Sequence, residues 1–101
     1  QTCALPICNL DIFKQMLEYY ISRKGDDLNY NLLFMDTTKY NNMNILKYLV
    51  KERHKLPDTQ AMTYIAAMNN PQFYRYLIKH GAPAYDADLY RDEFGDNLPN
   101  F

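Results

Sequence analysis

Three six-residue segments of the chain follow one pattern: Ile12-Phe13-Lys14-Gln15-Met16-Leu17, Ile45-Leu46-Lys47-Tyr48-Leu49-Val50 and Phe73-Tyr74-Arg75-Tyr76-Leu77-Ile78. Each reads apolar or aromatic twice, then a base, then a polar residue or Tyr, then apolar twice. An Asn stands three residues before the first apolar position in every copy: Asn9, Asn42 and Asn70. Ile12 to Ile45 is a step of 33 residues and Ile45 to Phe73 a step of 28. A recurrence of that length limits the fold severely. It is long enough for one helix pair, and a single pair cannot close its own apolar face, so successive pairs must stack.

The third copy has the best-defined ends. Asn70 can cap the free N–H groups of the first turn, and Pro71 at the first helical position loses no hydrogen bond there. Phe73, Tyr76, Leu77 and His80 fall on one face with Tyr74 and Ile78 on its flank, and Gly81 follows the last turn. This predicts a helix from Pro71 to His80 whose stripe is a stacking face. Upstream, Asn9 or Asp11 caps a first helix carrying Ile12, Phe13, Met16, Leu17, Tyr20 and Ile21, which Ser22-Arg23-Lys24 and Gly25 end. A second helix over Tyr30–Tyr40 takes its apolar side from Leu32, Leu33, Met35 and Phe34, and is weakened by Asp36, Thr37 and Thr38. A third runs from Met43 to His54, with a stripe at Ile45, Leu46, Leu49 and Val50. Asp58 caps a fourth, Thr59–Met68, and Asp86 or Asp88 starts a sixth through Leu89, Tyr90 and Phe94. The expected class is all-α.

Residues 65–82, Ile65-Ala66-Ala67-Met68-Asn69-Asn70-Pro71 through Leu77-Ile78-Lys79-His80-Gly81-Ala82, resemble the core of an ankyrin repeat. In that family a first helix ends in Leu-Ala-Ala, an Asn/Gly-containing turn follows, and a second helix ends in Leu-Leu, a charged pair and Gly-Ala. The Thr-Pro-Leu-His opening of the family is replaced by Ala61-Met62-Thr63-Tyr64, and Asp36 stands where a Leu is expected. Tetratricopeptide repeats have a similar period, but their Trp and Leu-Gly positions are missing. The resemblance implies a helical-repeat solenoid over residues 9–85, with residues 86–101 a partial further repeat or a C-terminal tail. It also implies a protein-binding module that contacts its partner through the turns and the first helix of each pair. On this chain those positions are Tyr30, Asn31, Asp36, Lys39 and Tyr40, then Asp58, Thr59, Gln60 and Thr63, then Tyr85 and Asp86. Of these, Tyr30 and Tyr85 lie near inter-repeat turns, where Tyr is a preferred contact residue. Degenerate repeats rich in Asn and Tyr are similar to those of large DNA viruses and some protists. About two and a half repeats are present against the roughly three that such a stack needs, so neighbouring repeats are expected in a longer protein. The alternative function is a regulatory or scaffolding segment of a longer enzyme whose catalytic domain lies outside this stretch. A compact bundle with no repeat function is the remaining architecture.

The first seven residues, Gln1-Thr2-Cys3-Ala4-Leu5-Pro6-Ile7, are similar to the translation of a short-read sequencing adapter, so residues 1–8 are set apart as a non-native or disordered tail. Cys8 is then the one cysteine left, which suits a reducing, cytoplasmic setting. A net charge of −1 supports neither a nucleic-acid surface nor a basic membrane patch, and no apolar run is long enough to span a bilayer. His54 and His80 have no second ligand at metal spacing and suit helix C-termini. The acidic run Asp86, Asp88, Asp92, Glu93, Asp96 fails as a helix–loop–helix calcium loop, because Arg91 or Glu93 falls where the invariant Gly must stand. No phosphate-binding glycine loop or activated nucleophile is recognisable, so no cofactor and no enzymatic activity are expected. Tyr19, Tyr20, Tyr48, Tyr64, Tyr74 and Tyr76 lie on the expected helices, where most should be core or half-buried spacers with the hydroxyl at the surface.

Overall fold

The computed structural model describes residues 9–101, and the adapter-like segment with Cys3 and Cys8 lies outside the described residues. Six helices follow one another: α1 (Leu10–Lys24), α2 (Tyr30–Lys39), α3 (Met43–Lys51), α4 (Thr59–Ala67), α5 (Pro71–Lys79) and α6 (Ala87–Phe94). No strand occurs among the described residues. The protein is all-α.

Every helix starts the same way. Asn9, Asn29, Asn42, Asp58, Asn70 and Asp86 each place a side-chain oxygen on the backbone N–H three residues ahead, satisfying one of the donors that a first turn leaves orphaned. Of the paired alternatives in the sequence, Asn9 caps α1 and Asp86 caps α6. The caps of α2, α4 and α6 (Asn29, Asp58, Asp86) form a second register beside Asn9, Asn42 and Asn70. The helix ends repeat too. Gly25, His54 and Gly81 take φ of 84°, 56° and 105° in the turns after α1, α3 and α5, while Asn41 and Asn69, both at 57°, follow α2 and α4.

Two rows result. In one, α4 lies between α2 and α6; α3 packs on α2, α5 on α4 and α1 on α3. The body measures 43 × 25 × 24 Å. Between the rows Phe34, Ile45, Leu46, Leu49, Met62, Ile65, Phe73 and Leu77 are wholly withdrawn from solvent. Ala61 and Ala66 are buried on α4, where small side chains let neighbouring helices approach closely. The polar residues in this core are threonines. Thr37, Thr38 and Thr63 donate their hydroxyls to the carbonyls of Leu33, Phe34 and Thr59, four residues back, so none is buried unsatisfied. That bonding carries α2 through the Asp36-Thr37-Thr38 stretch that was expected to weaken it.

Two buried faces differ from the sequence expectation. On α5 the buried residues are Phe73, Tyr74 and Leu77, whereas Tyr76 and His80 are half-buried and stack on each other at 4.1 Å. Tyr74 is drawn inward because its hydroxyl accepts the Tyr85 backbone N–H at 3.0 Å and its ring stacks on Phe101 at 4.0 Å. On α2, Phe34 is fully buried while Leu32 is 51% exposed. Four consecutive apolar residues cannot all face one side of a helix, and Leu32 is the one turned outward.

Polar links join residues at a nearly constant separation of 27 to 29 positions: Arg53 donates to Asp26 at 3.0 Å, Asn31 pairs with Asp58, and Asn70 donates to Asn41 at 3.2 Å.

Candidate partner-binding face

The helices α2, α4 and α6 lie side by side, and the segments 26–29, 55–58 and 83–86 lead into them. Between α2 and α4 lies a shallow groove of 270 Å³. Ala61 and Met35 form its floor, Leu32 and Tyr64 its apolar walls, and Asn29, Asn31, Asp58 and Gln60 its polar rim. Tyr64 extends the apolar strip toward α6, its ring meeting Phe94 edge-on at 5.6 Å. Phe94 is itself 44% exposed.

Asn31 and Asp58 converge at the rim and hold each other. Asn31 Nδ2 donates to Asp58 Oδ2 at 3.0 Å, and the Asp58 backbone N–H donates to Asn31 Oδ1 at 2.9 Å. Asp58 Oδ1 also accepts the Ala61 N–H as the α4 cap. These two side chains therefore set the shape of the rim, while Thr59 and Gln60 beside them are exposed. Asp36 is half-buried further along α2. Lys39 and Tyr40 are exposed at the end of α2 and do not line the groove, with the ammonium 5.6 Å from the ring centre.

The turn before α2 is a charged cluster. The Tyr30 hydroxyl donates to Asp26 at 2.6 Å, Arg53 Nη2 reaches the same carboxylate at 3.0 Å, and Lys55 Nζ lies 5.0 Å from the Tyr30 ring centre. The Tyr30 hydrogen bond and the Arg53 and Lys55 charges hold the Asp26 carboxyl below its ordinary value, against an opposing effect of burial. Burial, followed by the bond to Asp26, raises the Tyr30 phenol. Tyr30 is half-buried and serves this cluster.

Two expected contact residues require correction. Thr63 is 0% exposed, and its hydroxyl is already shared between the Thr59 carbonyl and the Asp86 backbone N–H at 2.9 Å, so no partner can reach it. It fixes the α6 cap to α4 instead. Tyr85 is half-buried among Tyr74, Tyr90 and Phe101, and its hydroxyl faces the Pro99 carbonyl at 3.4 Å. Asp86 is exposed but committed to capping α6 through Asp88 and Leu89 N–H. Leu32 and Met35, expected on the apolar side of α2, and Tyr64, expected to be core or half-buried, line the groove. The run Leu32-Leu33-Phe34-Met35 carried the available signal, since a helix of that composition must turn one apolar residue outward.

Among the described residues no three His, Cys, Asp or Glu side chains are grouped to hold a metal ion, and no helix is long and apolar enough to cross a membrane. Comparison with protein-family models, curated proteins and solved structures finds no match to this chain.

Proposed function

We propose that this chain is an ankyrin-like solenoid acting as a protein-interaction module, and that it takes its partner on the α2–α4 groove. The repeat reading is supported by helix caps at Asn29, Asp58 and Asp86 and by left-handed residues at Gly25, His54 and Gly81, which recur at steps of 27 to 29 residues. The observation that carries the functional reading is the exposure of Leu32 at 51% beside Met35 and Tyr64, ringed by Asn31, Asp58 and Gln60. An apolar centre with a polar rim is the anatomy of a recognition patch. The groove suits a segment that offers one apolar side chain, with backbone groups bonding to Gln60 and Thr59. Its small size makes it an anchor point within a larger contact that includes Lys39, Tyr40 and Asp36.

Capture from extracts of a source cell, compared between variants, tests this. Proteins retained by the wild type should be lost with Leu32→Asp and weakened with Gln60→Ala, while Ile78→Asp on the opposite row should retain them. Circular dichroism checks that each variant folds. Equal retention by Leu32→Asp would remove the groove as the binding site.

A further inference from the structure

A second concavity lies on the other row, between α3 and α5. Its volume is 390 Å³, and its lining is Met43, Lys47, Lys51, Gln72, Arg75, Tyr76, Lys79 and His80. Lys47 and Arg75 are the basic positions of the second and third copies of the recurring motif, 28 residues apart. Lys51 and Lys79 follow one turn later at the same step. The repeat thus sets two cations on α3 beside two on α5. Four residues along a helix is a rise of about 6 Å, which sets the spacing of the two cations on each helix. No carboxylate lines the groove. Among the described residues the ion pairs engage Lys14, Arg53, Lys55 and Arg91 and leave these four cations without a counter-charge.

The first copy of the motif shows that this is not a property of the repeat as such. Lys14 occupies the basic position there, but Glu18 stands one turn later and Lys14 Nζ is paired with Glu52 at 3.2 Å. The step from α1 to α3 is neutralised, whereas the step from α3 to α5 is not. All four side chains are exposed, so the folded core does not require their charge, and gathering like charges is unfavourable in the absence of an anion. The Tyr76 hydroxyl among them is shut off from water and has no hydrogen-bond partner.

We propose that the α3–α5 groove binds a small soluble ligand bearing a di- or triphosphate chain. Lys47 and Arg75 hold one end, Lys51 and Lys79 the other, and the Gln72 amide and Tyr76 hydroxyl donate to the bridging region. For the hydroxyl to donate, the groups that cover it must move aside as the ligand enters. Phosphate fits because its oxygens accept several N–H donors at once and match both ammonium and guanidinium groups. The ends of a triphosphate chain fall at a spacing comparable to one helical turn. Charge density favours a polyphosphate over an acidic protein partner: four cations share one concavity of 390 Å³, a volume within the range of about 300–1,000 Å³ typical of small-molecule sites. This site is on the row opposite the proposed partner groove and does not depend on that reading.

Calorimetric titration of the whole chain with inorganic tripolyphosphate, at a fixed ionic strength of about 0.15 M, tests the proposal. One saturable site per chain is expected. Lys47→Glu with Lys51→Glu should weaken binding by about tenfold or more. Arg23→Glu with Lys24→Glu, an equal change in net charge at the end of α1, should leave it within about twofold. Tyr76→Phe removes a donor but no charge, and should weaken binding by about threefold while raising the melting temperature. The surface charge variants are checked for folding by circular dichroism. The proposal is overturned if no saturable site appears, if the two double variants lose affinity equally, or if Tyr76→Phe leaves affinity unchanged. It is equally overturned if a poly-glutamate peptide binds more tightly than tripolyphosphate, or if binding occurs only to vesicles carrying polyphosphorylated headgroups.

Discussion

His54 holds a φ of 56° in the turn after α3, where the matching turns after α1 and α5 use Gly25 and Gly81. A residue with a Cβ meets its own carbonyl in that region, while Gly does not, and the His54 side chain is exposed. His54→Gly should therefore raise unfolding stability by about 0.5–1 kcal/mol, read from the urea midpoint at unchanged slope. A fall in midpoint would mean that unfolded-state freedom outweighs the relieved strain. Asp26 is a second local test. Its carboxyl is held below its ordinary value, so its contribution is fully present above the unfolded value of 3.8 and is lost as pH falls through the lower folded value. Asp26→Asn should lower stability at pH 6 and flatten the decline of the urea midpoint between pH 5 and the acid limit. If both chains decline with the same slope, the Tyr30–Asp26–Arg53 cluster contributes no pH-linked stability. The cluster was not legible in the sequence, since Asp26 and Arg53 lie 27 residues apart and meet only through the tertiary packing.

At the scale of the helix, the most informative residue is Asn70. Its side-chain oxygen caps α5 by accepting the Phe73 N–H at 3.4 Å, while its amide donates to Asn41 at 3.2 Å and lies 3.5 Å from the Thr38 carbonyl. Cap and inter-unit tie sit on one side chain. Asn70→Ala should cost about 1–2 kcal/mol, because both are lost. Asn70→Asp retains the acceptor and removes the donor, so chemical denaturation should show it recovering the capping part alone. Full recovery by Asp would show that the link to Asn41 is energetically idle. Helix starts were the most legible part of this fold, because capping is local: an Asn or Asp three residues before a fixed N–H needs no tertiary partner. Which face each helix buries was less legible. The stripe Phe73-Tyr76-Leu77-His80 satisfies helical periodicity as well as Phe73-Tyr74-Leu77, and the choice between them was made by Tyr85 and Phe101, residues far along the chain. The same dependence hid the groove: Phe34 is turned into the core, and Leu32, two residues earlier and about 200° round the helix, is left outward.

Across the whole molecule, burial is concentrated in the middle of the row. The helices α3 and α4 each bury five residues, while Leu17 is the one buried residue of α1 and Tyr90 that of α6. Local opening free energy follows the apolar contacts an element gives up, so α1 and α6 should open before the centre does. Amide hydrogen exchange followed by mass spectrometry should place the strongest protection in α3 and α4 and the weakest in α1 and α6. Uniform protection would instead show that the six helices open as one cooperative unit, as in a bundle around a single centre. The coupling of the last helix to its neighbour can be perturbed separately. Thr63 accepts the Asp86 N–H from within α4, so Thr63→Val, nearly the same in shape, leaves that N–H without its partner and leaves the caps of the other helices intact. Loss of a partly buried hydrogen bond of this kind costs about 1.4 kcal/mol, or about tenfold in an equilibrium constant. Exchange in α6 should accelerate by about that factor while exchange in α1 is unaltered. If α1 accelerates as well, opening at one end is transmitted along the row, and the units are coupled beyond their nearest neighbours.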